Sequence, residues 1–280
     1  MDRKNYIRNR EITKNTLKYL FDAWVEISNQ LLRCSTLYLF LDYDGTLVPI
    51  TDTPKDALLS QERKQFLHKL SQYPEIQLWI ISGRSIDDIR RLVGIDEIGY
   101  VGNHGLEIQY PNQPVKEFYT SDHKETILKI KELLSAHFVR HKGVLLENKG
   151  PILAIHYRLA KTGIEREILR FIESIKDVVQ RPFNAGYGKK VLEIRTVPHK
   201  TKGTALRWIK KNVKFGKNPC RVYLGDDETD EDAFSVLDTN DIGIFIGKLS
   251  HQTAAKYYLL DVAEVWEFLL RVYKLLGKKQ

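Results

Sequence analysis

Cysteine is scarce in this sequence, with Cys34 and Cys220 its two instances. Each precedes an apolar run and neither has zinc-ligand spacing, so both are expected to be buried core thiols, which suits a reducing compartment. No uninterrupted apolar stretch is long enough to span a bilayer. The N-terminal MDRKNYIRNREITKN lacks an apolar h-region, so no signal peptide is expected and the cytoplasm is the default location. Blocks of like charge are missing as well. The 44 basic and 36 acidic residues are interspersed, and the formal net charge of +8 favours anionic partners without choosing among nucleic acid, membrane surface and phosphorylated metabolite. No basic arm or aromatic–basic platform marks a nucleic-acid binder. What is present is an ordinary globular composition, 42% hydrophobic and 29% charged over 280 residues, suited to one large domain or two modest ones.

The apolar patterning divides the chain. Over residues 1–34, Leu17, Leu20, Phe21, Trp24, Leu31 and Leu32 recur at helical spacing and predict an amphipathic helical extension packed on the body. Leu37–Leu41 and Leu78–Ile81 are short continuous apolar runs, the signature of strands buried on both faces of a parallel sheet. Helical patterns follow each, through Phe66, Leu67 and Leu70, then Ile86, Ile89 and Leu92, and a third strand is read near Tyr100-Val101. After about residue 110 the style changes. In Ile152–Leu159, Leu153, Ile155, Tyr157 and Leu159 alternate with His156 and Arg158; in Lys189–Thr196, Leu192 and Ile194 alternate with Lys189, Glu193 and Arg195. Alternation of this kind predicts antiparallel strands with one wet face, with a helix around Ile168, Leu169 and Ile172 between them. Buried strands return at Arg221–Leu224 and Ile242–Ile246, and a last helix carries Val265, Phe268, Leu269 and Val272. The expected fold is therefore α/β: a doubly wound, Rossmann-like parallel core formed by residues 35–114 and 197–280, interrupted by an inserted α+β domain at 115–196.

Polar residues fall at informative places. Asp42 and Ser82 directly follow buried runs, and Asp226 follows one with Gly225 between. In open α/β sheets that carboxyl edge is where ligands bind. Asp44 lies two residues beyond Asp42, the spacing that can set both on one side of an extended segment, and Gly45 permits a sharp turn. A carboxylate so placed can attack phosphorus, and a second can serve as acid and then base. Bringing anions together calls for cations. Mg²⁺ suits oxygen ligands, with Asp42 and Asp226 the natural carboxylates. Ser82 can hydrogen-bond a phosphoryl oxygen, and Lys202, opening a helix, can attract one. Singly, each feature has a plainer explanation: an Asp-Gly turn, a common Ser-Gly, a solvated lysine, or Thr229 capping a helix with an acidic first turn. Their order and their shared position at strand ends favour a site.

These residues resemble the haloacid dehalogenase superfamily of phosphotransferases: Asp42-Tyr43-Asp44-Gly45-Thr46-Leu47, then Ser82 in Ile81-Ser82-Gly83-Arg84, then Lys202, then Gly225-Asp226-Asp227-Glu228-Thr229-Asp230-Glu231. With Gly102-Asn103-His104-Gly105 and His156-Tyr157-Arg158, the pattern is similar to the trehalose-6-phosphate phosphatases. The resemblance implies a Mg²⁺-dependent phosphatase with Asp42 as nucleophile and Asp44 as acid/base. The Asp44 carbonyl and Asp226 would join Asp42 on the metal, with Asp227 and Asp230 supporting them. It implies that the insert is a cap reading the sugar through Glu147, Lys149, Arg158, Lys189 and Glu193, with Arg84 from the core. A solvated sheet face with cross-strand ion pairs is the plainer reading of those charges, and His104 and His156 are open between a role at the site and a structural one. The expected partner is a small sugar phosphate, with no nucleic acid and no membrane. The trehalose-6-phosphate synthase is an admissible protein partner, and a monomer is expected. Rival functions are a phosphatase for sucrose phosphate or a mannosyl-glycerate phosphate, and a catalytically idle sensor or docking module, against which the intact Asp42, Asp44, Lys202 and Asp226 argue.

Overall fold

A computed structural model describes residues 17–51, 53–179, 181–188, 190–196, 200–213, 216–248 and 252–277. Among them runs a nine-stranded sheet in the order Lys18–Tyr19, Tyr257–Leu259, Ile242–Ile246, Pro219–Gly225, Thr36–Asp42, Ile76–Ile81, Gly99–Gly102, Glu107–Gln109 and Lys116–Glu117. Pairing is parallel from the first strand to Gly99–Gly102 and antiparallel for the last two. Both faces are covered, which is why the central strands read as continuous apolar runs. Leu37, Leu39 and Leu41 face a core shared with Ile27 and Leu31, Leu67 and Leu70, and Val265, Phe268 and Leu269. Tyr38 and Phe40 face the opposite layer, against Ala205, Leu206, Ile209, Ala233 and Phe234. The expected α/β class holds.

Thr36–Asp42 pairs on one side with the next strand in sequence, Ile76–Ile81, and on the other with the distant Pro219–Gly225. This is the switch point of the sheet, where the following connections leave in opposite directions and open a crevice. Local signals tighten its rim. Ser85 caps helix Ile86–Val93 by accepting from Asp88 N, and Gly94, at φ 73°, ends it in the left-handed conformation that glycine adopts without strain.

A second sheet, antiparallel, has the order Leu145–Asn148, Ile152–His156, Val191–Arg195, Asn184–Gly188. Leu153, Ile155, Leu192 and Ile194 pack on helices Ser121–Phe138 and Ile164–Ser174 in a separate apolar core. The other face of this sheet carries the charged residues and looks toward the crevice.

Four sequence readings need correction. The N-terminal helix spans Trp24–Arg33, while Lys18–Tyr19 is a parallel strand beside Tyr257–Tyr258. Leu20, Ile27 and Leu31 are buried there and Leu32 is exposed; residues 1–16 lie outside the described residues. The strand read to Leu159 ends at His156: Tyr157 N still meets its register partner Lys190 O, but Lys190 stands at φ 65°, Ala160 N turns back to Tyr157 O, and Leu159 is exposed. The strand read from Lys189 begins at Val191, after Lys190 adopts φ 65°. Cys34 and Cys220 are not separate thiols but a disulfide. The register that sets Pro219 against Thr36 brings their Cα atoms to 5.6 Å, within the span such a bond bridges.

Candidate active site

Three loops at the carboxyl ends of the central strands supply the site. Asp42 is the last residue of its strand, Ser82 the first after Ile76–Ile81, and Asp226 the first after Pro219–Gly225. Asp42 is 4% exposed and Lys202 3%. Lys202 opens helix Lys202–Asn212, capped by Thr201, and its Nζ donates to Asp42 Oδ1 at 2.7 Å and to Asp230 Oδ1 at 2.8 Å. Burial opposes the Lys202 ammonium, but Asp230 and Asp42 outweigh it and hold it charged. Burial pushes the Asp42 carboxyl well above its ordinary range; Lys202 opposes this, while Asp230 and Asp226 add to it.

Asp230 is fully buried and takes four donors: Lys202 Nζ and Tyr223 Oη on one oxygen, the backbone N–H groups of Asp226 and Asp227 on the other. A carboxylate has about four acceptor positions, so Asp230 is committed to holding its neighbours. Asp227, not Thr229, caps helix Glu228–Phe234, with Thr229 N donating to it.

Carboxylate oxygens of Asp42, Asp226 and Asp230 lie within 4.8 Å of one another, a group that can hold a metal ion. With Asp230 filled, Asp42 and Asp226 are the pair left to supply ligands. The fit has a structural signature. Gly45 stands at φ 89°, and a Cβ there would fall 2.2 Å from Asp226 Oδ2. Glycine thus lets the Asp226 carboxylate lie directly against the turn that carries Asp42 and Asp44. Hard oxygen donors at the mouth of the buried Lys202–aspartate pairs suit a small divalent cation.

Asp44 is gripped by Arg84: Nε and Nη2 each donate to it at 2.7 Å, a bidentate pair, while Nη1 donates to Asp88 at 2.9 Å. Ser82 Oγ accepts from Arg84 N at 3.1 Å, which fixes the Ser-Gly-Arg turn.

Facing these groups across a cavity of about 260 Å³ is the charged side of the second sheet. Lys149 Nζ donates to Glu193 at 3.0 Å and to the core carbonyl of Gly83 at 3.2 Å. His156 pairs with Glu147 at 2.8 Å, and Arg158 donates to Thr51 O at 3.2 Å. Burial raises the Glu193 carboxyl, but Lys149, His104 and Arg195 outweigh it and hold it well below the usual carboxylate range. Burial likewise raises Glu147, and His156 and Lys149 bring it below its usual range. Of the residues singled out from sequence, Asp42, Asp44, Ser82, Arg84, Glu147, Lys149, Arg158, Glu193, Lys202, Asp226 and Asp227 line this cavity, and Asp230 lies beneath it. Lys189 lies outside the described residues, and its neighbour Lys190 reaches the cavity. Sequence reasoning overlooked Asp88 and Tyr223, and placed Arg195 on the wet face of its strand without giving it a role. Asp88, four residues after Arg84 at a helix start, carried a detectable ion-pair signal; Tyr223, inside an apolar run, carried none.

The family model described as trehalose-phosphatase matches residues 40–263. The chain is 33% identical over 276 residues to "Probable trehalose-phosphate phosphatase 3" of Oryza sativa subsp. japonica, covering 90% of this chain and 74% of that one. It is 34% identical over 263 residues to "Trehalose 6-phosphate phosphatase RA3" of Zea mays, covering 87% and 72%. Among solved structures, one titled "trehalose-6-phosphate phosphatase related protein" superposes with a TM-score of 0.75 at 26% identity, covering 87% of this chain and 100% of that chain. The C-terminal domain of the C. albicans trehalose-6-phosphate phosphatase gives 0.77 at 23% identity over 93% and 99%, a likeness of fold.

Proposed function

The chain belongs to the trehalose-phosphatase family, and from that premise we propose that it hydrolyses trehalose 6-phosphate to trehalose and phosphate, the closing step of trehalose biosynthesis, through an aspartyl-phosphate on Asp42. The observation that carries this reading is the Asp42 carboxylate held at the switch point by Lys202, beside Asp226, in the same cavity as the charged face of the second sheet.

In the first half-reaction an Asp42 oxygen forms a bond to phosphorus as the bond from phosphorus to the sugar oxygen breaks. The departing oxygen takes its proton from Asp44. In the second, water attacks phosphorus, its proton goes to Asp44, and the acyl-phosphate bond breaks to restore the Asp42 carboxylate. Lys202, charged and buried, orients Asp42 and offsets negative charge. Ser82, at the adjoining strand end, offers a hydroxyl to a phosphoryl oxygen. Arg84 fixes the direction of Asp44 and leaves each of its oxygens a further lone pair. Asp42, Asp226 and the Asp44 carbonyl would hold Mg²⁺, which when bound neutralises charge on the phosphoryl oxygens. Asp230 and Asp227 support Asp226 through its backbone and the helix start.

Residues 115–196 serve in this reading as a cap inserted between core segments 35–114 and 197–280. Glu147, Lys149, Arg158 and Glu193 contact the sugar hydroxyls. A neutral disaccharide needs donors and acceptors already aimed by their neighbours, and the lowered Glu193 and Glu147 carboxyls supply charged acceptors.

The test is phosphate release from trehalose 6-phosphate, sucrose 6-phosphate and glucose 6-phosphate, with Mg²⁺ and with chelator. Metal-dependent preference for the trehalose ester is the expected result. Preference for another sugar would keep the chemistry and move the substrate; inactivity of the folded protein on all three would overturn the enzymatic reading.

A further inference from the structure

His104 lies at the seam between the core and the second sheet, its backbone on the core and its ring reaching the sheet. Asn103 and His104 both adopt left-handed backbone, at φ 48° and 55°. Two consecutive non-glycine residues in that region mark a turn that its surroundings impose. Asn103 N donates to Arg84 O at 2.7 Å and His104 N to Ser82 O at 3.1 Å, so the turn is clamped onto the Ser82-Gly83-Arg84 segment. The His104 ring packs against Gly83, where an added Cβ would come within 2.6 Å of Cε1 and Nε2. From there Nε2 reaches Glu193 Oε2 at 3.2 Å, across the seam. Glu193 also takes Lys149 at 3.0 Å and Arg195 at 2.7 Å, and Lys149 returns to Gly83 O. The contacts therefore close into a ring: Gly83, His104, Glu193, Lys149, Gly83.

We propose that His104 is a positioning residue for sugar recognition, aligning the Glu193 carboxylate from the core side so that the seating of the second sheet and the aim of its acceptor are set together. This rests on the reading of Glu193 and Lys149 as sugar contacts. Lys149 and Arg195 already supply two cations to Glu193, so charge compensation does not require a third. The buried imidazole, which burial pushes below its ordinary value, instead contributes direction: Nε2 meets Oε2 along one line, from a backbone held on the Ser-Gly-Arg turn. Without that bond Oε1 keeps Lys149 and Oε2 keeps Arg195, and the carboxylate can tilt about the Lys149 contact toward Arg195.

The experiment compares wild type, His104→Asn and His104→Gln on trehalose 6-phosphate and on p-nitrophenyl phosphate, which is too small to engage the second sheet. Asparagine accepts left-handed backbone but is too short to reach Glu193; glutamine carries a donor near the place of Nε2. His104→Asn is expected to lower kcat/KM for the sugar ester about tenfold, chiefly through KM, while the aryl ester stays within about twofold. His104→Gln should recover part of the loss. An unchanged sugar ester in His104→Asn, an equal fall on both esters, or no recovery by glutamine overturns the proposal. A wild type with no preference for the trehalose ester instead overturns the functional reading beneath it, and the two failures are thereby distinguished.

Discussion

Replacing Asp230 by asparagine isolates the network under the site. The substitution keeps the shape of a fully buried side chain but removes its charge and turns one acceptor end into a donor. Both ends of the native carboxylate face donors, Lys202 and Tyr223 on one oxygen, two backbone N–H groups on the other. Either orientation of the amide therefore sets N–H against N–H. Breaking a buried ion pair by removing one partner costs about 3–5 kcal/mol. Lys202 retains Asp42, so the lower end, about 3 kcal/mol, is expected here. Urea denaturation followed by circular dichroism should report that loss, with a fall in Tm of roughly 6–12 °C. Activity should fall on the order of tenfold or more, since Lys202 and the Asp226 backbone lose their common anchor. A variant within about 1 kcal/mol of wild type would refute the account of Asp230 as the hub.

Other substitutions probe neighbouring claims. Gly45→Ala places a methyl group 2.2 Å from Asp226 Oδ2 on a left-handed residue; the Mg²⁺ concentration for half-maximal activity should rise about tenfold or more, and an unchanged value would contradict the close approach. Gly83→Ala drives a Cβ into the His104 ring, so it should reproduce the His104→Asn pattern, losing the sugar ester while sparing p-nitrophenyl phosphate. For Glu193, the folded carboxyl lies below its ordinary value of 4.5, so its contribution to stability is complete above the unfolded value and lost as pH falls through the folded one. The stability gap between wild type and Glu193→Gln should be flat above about pH 5 and shrink on acidification; a gap that widens toward acid would reverse the sign.

The carboxyl-edge residues were legible because the last stretches of the buried strands, Leu37–Leu41, Leu78–Ile81 and Val222–Leu224, are continuously apolar. Asp42, Ser82 and Asp226 therefore marked the strand ends and, with them, the candidate site. The second sheet was legible in its middle, where Leu153, Ile155, Leu192 and Ile194 alternate cleanly, and not at its ends, where Ala160 turns back to Tyr157 and Lys190 leaves the extended region, so the period stops carrying information. The N-terminal helix was drawn too long because Leu17, Leu20, Phe21 and Trp24 happen to keep helical spacing. The two-residue strand Lys18–Tyr19 is created by its partner Tyr257–Tyr258, not by local propensity. Side-chain partners lay furthest from view. Nothing local to Ser82-Gly83-Arg84 says that the guanidinium will grip Asp44, and nothing around His104 points to Glu193, because both pairings depend on how distant segments meet. The disulfide escaped for the same reason: strand register, not sequence spacing, brings Cys34 to Cys220.

The central claim is that Asp42 carries the phosphoryl group. Its most direct test is to quench the protein in acid during turnover of trehalose 6-phosphate bearing radiolabelled phosphate, then to map the protein-bound label. The account predicts label that is stable to acid, released by hydroxylamine and confined to the peptide containing Asp42, with neither label nor turnover in Asp42→Asn. Label on another residue, or an Asp42→Asn protein that turns over the ester at the wild-type rate, would contradict it.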